Sequence, residues 1–267
     1  MPEYSDRMNE GEKISTRSLR IGYSSGRCKV PILPELNAAA SAGELIAVIG
    51  RNGIGKSTLL RTLAGLQPAL EGEIKISGKD ISEYTRMELA RSIGYISTEV
   101  VRVNNMTVYD LAALGRFPHT NWLGYTDDED RRKIRDALIK AGMEGFESRL
   151  LSELSDGERQ RAMIARVISQ DAGIMIMDEP TAFLDIAGRY EITRLAYDLT
   201  RAGKTIIYST HDLDPALAMA DKLWLILKET LIDGTPDELV SNGSVGRLFE
   251  SSPIAFDVST GKPVIMK

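Results

Sequence analysis

A chain of 267 residues has room for one large α/β domain with a smaller subdomain inserted, and its 43% hydrophobic and 27% charged residues are those of an ordinary globular protein. No apolar run approaches the ~18–20 residues a membrane-spanning helix needs, the polar stretch through Lys13 has no signal-peptide core, and a net charge of −5 gives no support to a nucleic-acid-binding surface. The single cysteine, Cys28, excludes an intramolecular disulfide and two histidines, His119 and His211, exclude a histidine-rich metal cluster, so the composition reads as that of a cytoplasmic protein in a reducing compartment.

Residues 1–15 read as a flexible leader. Alternating apolar residues over 17–23 and 28–33 predict a short antiparallel pair turning at Ser24-Ser25-Gly26. The apolar run 45–49 predicts a buried strand; the segment Gly50-Arg51-Asn52-Gly53-Ile54-Gly55-Lys56-Ser57-Thr58 follows it and leads into a helix over 56–64. Strands are expected at 73–77 and 91–96. From 107 to 150 the spacing turns helical, with helices expected over 108–114 and 127–141, the second opening on acidic residues suited to a helix N-terminus. Between them Phe117, Trp122 and Tyr125 sit in an irregular loop. Beyond it, helices at 156–169, 185–202 and 212–220 alternate with strands at 173–177, 204–209 and 222–227, which predicts a largely parallel sheet flanked by helices. A short helix from 237 and a Pro/Gly-punctuated tail close the chain.

The glycine segment matches G-x-x-x-x-G-K-[ST] in the strand–loop–helix setting that gives the motif its meaning. Glycines let successive backbone N–H groups turn toward phosphate oxygens, and the positive end of the following helix adds to the field. Asn52, Gly53, Gly55, Lys56, Ser57 and Thr58 therefore predict a nucleoside triphosphate site, with Lys56 on the β- and γ-phosphates and the Ser57 hydroxyl on Mg²⁺. A second motif is the buried-type strand 173–177 ending in Asp178-Glu179. The first carboxylate is suited to holding Mg²⁺ and the second to polarising an attacking water. Without the glycine loop, the pair reads as an acidic turn.

Three further segments complete a set: Leu154-Ser155-Asp156-Gly157-Glu158-Arg159-Gln160-Arg161, Pro180-Thr181-Ala182-Phe183-Leu184-Asp185 and Ser209-Thr210-His211-Asp212. With them the chain resembles the ATP-binding subunit of an ABC (ATP-binding cassette) transporter over 16–239. The resemblance implies a P-loop NTPase fold of α/β class: a mostly parallel core sheet, an antiparallel β subdomain, a helical subdomain inserted at about 100–160, and a C-terminal extension over 240–267. It implies a head-to-tail homodimer in which ATP lies between one phosphate loop and the signature of the other subunit. Ser155, Gly157 and Glu158 form that signature, with Asp185 touching the partner's site. His211 then contacts the γ-phosphate, Glu179 serves as the base, and Tyr23 stacks on adenine; by themselves His211 reads as a capping residue and Tyr23 as a strand aromatic.

Two departures from the family pattern stand out. The usual LSGGQ signature has Asp156 and Glu158 here, and Asp156 is expected to face solvent or cap its helix rather than point at phosphate. The glutamine usual after the strand 93–96 is replaced by Ser97-Thr98-Glu99, with Thr98 in the matching register as the candidate Mg²⁺ contact. Segments 106–111, 115–119 and 157–161 are similar to the ATPases of importers for iron siderophores, haem and vitamin B12. That likeness implies polytopic permease subunits, a substrate-binding protein reached indirectly, no nucleic acid, and a peripheral place on the cytoplasmic face of the membrane. Phe117, Trp122 and Tyr125 offer either a docking surface for a permease helix or packing beneath a loop. A soluble ABC ATPase with a regulatory or assembly role is the competing reading; a P-loop nucleotide kinase leaves 154–158 without a task.

Overall fold

In the computed structural model, residues 11–25, 28–33, 35–98, 103, 105–120, 126–228, 230–250, 253–258 and 260–265 are described. The chain opens with β1 (Glu12–Arg20), β2 (Gly22–Ser25), β3 (Cys28–Pro31) and β4 (Leu36–Ser41). Then come β5 (Leu45–Gly50), α1 (Lys56–Leu63), β6 (Glu71–Ile76), β7 (Lys79–Asp80), α2 (Arg86–Ser92) and β8 (Ile93–Ile96). Three helices follow, α3 (Val108–Leu114), α4 (Asp128–Lys140) and α5 (Asp156–Gln170). The second half alternates: β9 (Ile174–Met177), α6 (Ile186–Arg201), β10 (Thr205–Thr210), α7 (Leu213–Met219) and β11 (Lys222–Ile226). It finishes with β12 (Leu231–Gly234), α8 (Pro236–Ser241), β13 (Ile254–Asp257) and β14 (Lys262–Ile265).

The central sheet has the order β12-β11-β5-β10-β9-β8, parallel throughout except for β12. All six residues of β5 are buried, as a strand covered on both faces requires. Their alternation divides the interior. Ile46 and Val48 join α1 and the antiparallel sheet β4-β1-β6-β7 on one side. Leu45, Ala47 and Ile49 join α5, α6 and α7 on the other. A third cluster, built on Val108, Leu111, Ile134, Leu138 and Met163, holds α3, α4 and α5 together. Helix α5 belongs to two clusters: Ile164 and Val167 face the sheet, while Ala162, Met163 and Ala165 face the helical layer. Its C-terminus ends on Asp171, in the left-handed region at φ 57°, which pairs with Lys133 of α4 at 3.2 Å and with Lys204 before β10 at 2.7 Å.

The parallel alternation and the helices over 108–114, 127–141 and 156–169 emerge close to expectation. Several boundaries move. Strand β1 begins at Glu12, so residues 12–15 belong to the antiparallel sheet and not to a leader, paired with both β4 and β6. The expected hairpin is β2–β3, while 17–20 lie in β1; its turn at Gly26 falls outside the described residues. Arg91 is helical, at the end of α2. The expected boundary near Leu239 falls inside α8, and the following segment is part of the core: Leu239 and Val245 are buried and Phe256 packs on the same cluster. Likewise α5 runs through the expected end of the helical insertion near 160.

Candidate functional site

The glycine loop joins the buried β5 to α1, and its conformation depends on glycine where it meets the helix. Gly55 caps α1 at φ 112°, where a Cβ would also lie 2.8 Å from Ile32 Cγ2, and Gly53 sits at φ 73°. The first-turn N–H groups of α1 thus face an open cleft of about 630 Å³, lined by Tyr23, Ile32, Asn52, Gly53, Gly55, Lys56, Ser57, Thr58, Glu179 and His211. The cleft brings together every residue expected to hold the nucleotide within one subunit. Tyr23 stands at its rim on β2, 60% exposed.

Lys56 is 5% exposed, and its ammonium donates to the Gly50 carbonyl at 2.9 Å and to that of Arg51 at 3.4 Å. Burial pulls its pKa below the ordinary lysine value, and the carboxylates of Glu179 and Asp178 act against that pull. Glu179 Oε1 lies 4.0 Å from Lys56 Nζ and 2.6 Å from His211 Nε2, which is itself 3.4 Å from Lys56 Nζ. One imidazole nitrogen either donates or accepts, so the 2.6 Å contact assigns the Nε2 proton to Glu179. Glu179 is thus the shared acceptor between His211 and Lys56.

Strand β9 delivers the two carboxylates, and β10 beside it fixes them through Ser209, which the motif reading named but gave no role. The Ser209 hydroxyl donates to Asp178 Oδ1 at 2.7 Å and accepts the Glu179 N–H at 2.9 Å. Asp178 is fully buried, and its Oδ2 has no hydrogen-bond partner. Glu179 occupies the left-handed region at φ 48°, an uncommon conformation for a non-glycine residue and one that turns its side chain off the strand end into the cleft. Below His211, Asp212 accepts from Thr181 Oγ1 at 3.1 Å and from Arg189 Nη1 at 2.8 Å, tying the β9 and β10 loops together.

The orphaned Asp178 Oδ2 is the observation that tests for a divalent cation. One buried carboxylate oxygen, with the exposed Ser57 hydroxyl in the adjoining cleft, suits an ion that takes most of its other ligands from phosphate and water, which is how Mg²⁺ is commonly held. Among the described residues no group of three or more His, Cys, Asp or Glu could hold a metal by itself. Thr98 follows β8, whose Ile96 pairs with Met177 in parallel register and accepts the Asp178 N–H at 2.9 Å. That register carries Thr98 past the strand end on the Asp178 side of the sheet; Glu99 lies outside the described residues.

Six expected site residues do not line the cleft: Thr98 and Asp178, two of the candidate Mg²⁺ ligands, and Ser155, Gly157, Glu158 and Asp185. Ser155 is the N-cap of α5, its hydroxyl accepting from Glu158 N at 3.2 Å while Glu158 Oε2 accepts from Ser155 N at 2.7 Å. Those backbone bonds, first, hold the Glu158 carboxyl below its ordinary range, and Arg149 adds a contact at 3.2 Å. Within one subunit the Glu158 carboxylate turns back on the first helical turn, where an anion favours the helix. Asp156 points to solvent and pairs with Arg159 at 2.6 Å, in line with the expectation that it faces away from its helix end. Asp185 caps α6 through Gly188 N at 2.8 Å.

A profile of the ABC transporter family matches residues 33–182. The chain is 33% identical over 256 residues to the iron(3+)-hydroxamate import ATP-binding protein FhuC of Bacillus subtilis, covering 95% of this chain and 94% of that one. The chain belongs to the ABC transporter family. It is also 37% identical over 220 residues to the petrobactin import ATP-binding protein FpuC of Bacillus anthracis, covering 81% of this chain and 80% of the relative. Among solved structures it is similar to cbiO1 of Clostridium perfringens, part of the ABC transporter complex cbiONQ, with a TM-score of 0.75 and 29% identity over 89% of this chain and 94% of that one. As an ABC transporter ATPase subunit it binds nucleotide and works with a membrane permease. No helix among its described residues is long and apolar enough to cross a membrane. Within this ABC cassette, Ser209 and Asp212 lie in a motif read from the sequence, but their contacts with Asp178, Glu179, Thr181 and Arg189 are not legible there, because each reaches another segment of the fold.

Proposed function

We propose that this chain is the ATP-hydrolysing subunit of an importer for iron chelates, acting as a homodimer on the cytoplasmic face of the membrane beneath polytopic permease subunits. The observation that carries the cargo reading is near full-length similarity to ATP-binding proteins named for iron(3+)-hydroxamate and petrobactin import. A substrate-binding protein outside the membrane completes the system without touching this chain.

The homodimer rests on geometry. Ser155, Gly157 and Asp185 sit away from the cleft that holds Lys56, so one subunit offers two half-sites that a second copy joins. Phe183 and Ile186, 52% and 76% exposed on either side of Asp185, are the apolar surface such a contact covers.

ATP enters the cleft with its adenine against Tyr23 and its phosphates over the loop N–H groups. Lys56 leaves the Gly50 and Arg51 carbonyls for the β- and γ-phosphates, and His211 turns from Glu179 to the γ-phosphate. Each departure releases Glu179, which then accepts a proton from water instead of from histidine. Asp178, Ser57 and Thr98 would hold Mg²⁺, which supplies charge neutralisation on the β- and γ-phosphates when bound. Ser155 and Gly157 of the second subunit close over the γ-phosphate and exclude water, and product release lets the halves part.

Complementation tests the shared site. Lys56→Ala and Ser155→Arg proteins are each inactive, and mixing them restores turnover to about a quarter of wild type, because half the dimers are mixed and each carries one intact site. An inactive mixture, with mixed dimers shown by native mass spectrometry, rules out composition across subunits. Iron-chelate uptake by cells depleted of this chain tests the cargo; uptake that is unchanged excludes it.

A further inference from the structure

Strand β10 is buried along its whole length, and the hydroxyl at its penultimate position, on Ser209, is fully buried with it. The parallel register sets Tyr208 beside Met177, which brings Ser209 level with the point where Asp178 and Glu179 leave β9. A buried hydroxyl needs hydrogen-bond partners, a need that Ile206 and Ile207 earlier in the strand do not have. Ser209 meets it with those two residues alone: its Oγ accepts the Glu179 N–H at 2.9 Å and donates to Asp178 Oδ1 at 2.7 Å.

The direction of these bonds is fixed. A backbone N–H only donates, an ionised carboxylate only accepts, and a hydroxyl has one proton, so the Ser209 proton goes to Asp178. Asp178 Oδ1 is thereby committed inside the protein. Oδ2, buried and without a partner, is the carboxylate oxygen left to an ion. Mg²⁺ suits a carboxylate that offers one oxygen, whereas Ca²⁺ takes more oxygen ligands and accepts carboxylates through both oxygens. The other end of the chain of bonds reaches the base. Glu179 sits in the left-handed region at φ 48°, a conformation that persists only where the surroundings over-determine it, and the bond from its N–H to Ser209 is such a restraint.

We propose that Ser209 is a positioning residue that ties the choice of ion to the placement of the base. By occupying Asp178 Oδ1 it restricts that carboxylate to one free oxygen and so favours Mg²⁺ over Ca²⁺. Through the same hydroxyl it holds the Glu179 backbone in the conformation that turns the base into the cleft. The proposal rests on the reading of Asp178 as the ion-holding carboxylate and Glu179 as the base, and adds to it the residue that sets their geometry and the ion they accept. Removing an outer partner of this kind typically costs about 10–100-fold in metal affinity or activity.

The test uses the full chain, with ATP for turnover and Mn²⁺ as a spectroscopic probe. Ser209→Ala lowers kcat by about 10–100-fold with little change in the KM for ATP, since the phosphate loop is untouched, and Ser209→Thr, which keeps the hydroxyl, retains most of the rate. In a Glu179→Gln background Ser209→Ala lowers the single-turnover rate no further, because the base it positions is already gone. Electron paramagnetic resonance of Mn²⁺ bound with ADP, displaced by Mg²⁺ or by Ca²⁺, reads the ion without turnover: in Ser209→Ala the preference for Mg²⁺ over Ca²⁺ falls by about tenfold or more. A merely structural serine would lower thermal stability and leave kcat per folded molecule and ion preference as in wild type. Either of those unchanged overturns the inference, as does a loss of the same factor in both backgrounds, and the ATPase reading then still stands. A Glu179→Gln protein that turns over at the wild-type rate overturns the base reading and the inference with it.

Discussion

Replacing Glu179 by Gln lowers ATP turnover by about 10²–10⁴-fold while ATP binding persists, and the ATP-bound dimer accumulates. Gln has the same shape, so the left-handed backbone at φ 48° and the Ser209 contact to the Glu179 N–H remain in place. What disappears is the proton acceptor. The substitution also changes the contacts around Glu179. Glu179 lies 4.0 Å from the Lys56 ammonium and 2.6 Å from His211, and the neutral amide loosens both, so the γ-phosphate competes with a weaker rival. ATP affinity is therefore expected to be unchanged or higher, opposite to the effect of removing Lys56. Single-turnover release of labelled phosphate measures the chemistry, and sedimentation with ATP measures the dimer. Hydrolysis at the wild-type rate would remove Glu179 from the role of base.

The second large effect is on stability and lies away from the nucleotide. Arg116→Ala is expected to destabilise the protein by about 3–5 kcal/mol, the cost of leaving the partner of a buried ion pair alone. Arg116 is 4% exposed; its Nε donates to Asp130 Oδ1 at 2.7 Å and its Nη1 to the Ser169 carbonyl at 2.8 Å. One side chain thus clamps the start of α4 to the end of α5. Replacing Arg116 and Asp130 together by Met and Leu is expected to recover much of the loss, since the penalty lies in the stranded charge and not in the missing attraction. Acid should narrow the gap between wild type and Arg116→Ala. Burial acts to raise the Asp130 pKa, but the Arg116 hydrogen bond, the Asp127 backbone bond and the nearby positive charge together more than offset it, and the native value falls below the ordinary 3.8. A depressed carboxyl contributes its full stability above that ordinary value and loses it as pH falls through the native one, so the narrowing sets in below about pH 4. Urea titrations of both proteins at pH 7 and in acid check the size and the sign; a gap that widens in acid would contradict this account.

The elements that sequence made legible are those whose burial is periodic. β5, β9, β10 and β11 are runs of apolar residues bounded by turns, and α4 and α5 carry one apolar face each. β4 escaped because Leu36-Asn37-Ala38-Ala39-Ala40-Ser41 holds no β-branched or aromatic residue; pairing with β1 makes it a strand. α2 has no buried residue to set a period, although its Thr85–Glu88 capping box was there to be read. At the site, the motifs identified the cleft residues because phosphate chemistry constrains residue type locally. Ser209 acts on a carboxylate and an N–H at the end of the neighbouring strand, contacts that only the folded sheet creates.

Asp171 gives the molecule a property of a different sort. Its two lysine partners come from the helical layer and from the strand side, and the three side chains are between a quarter and a half exposed, so water and ions reach the bond. Mobile counterions weaken attraction at such places over a Debye length of about 8 Å at physiological ionic strength. The tie that Asp171 makes between α4 and the segment entering β10 is therefore expected to loosen as salt rises.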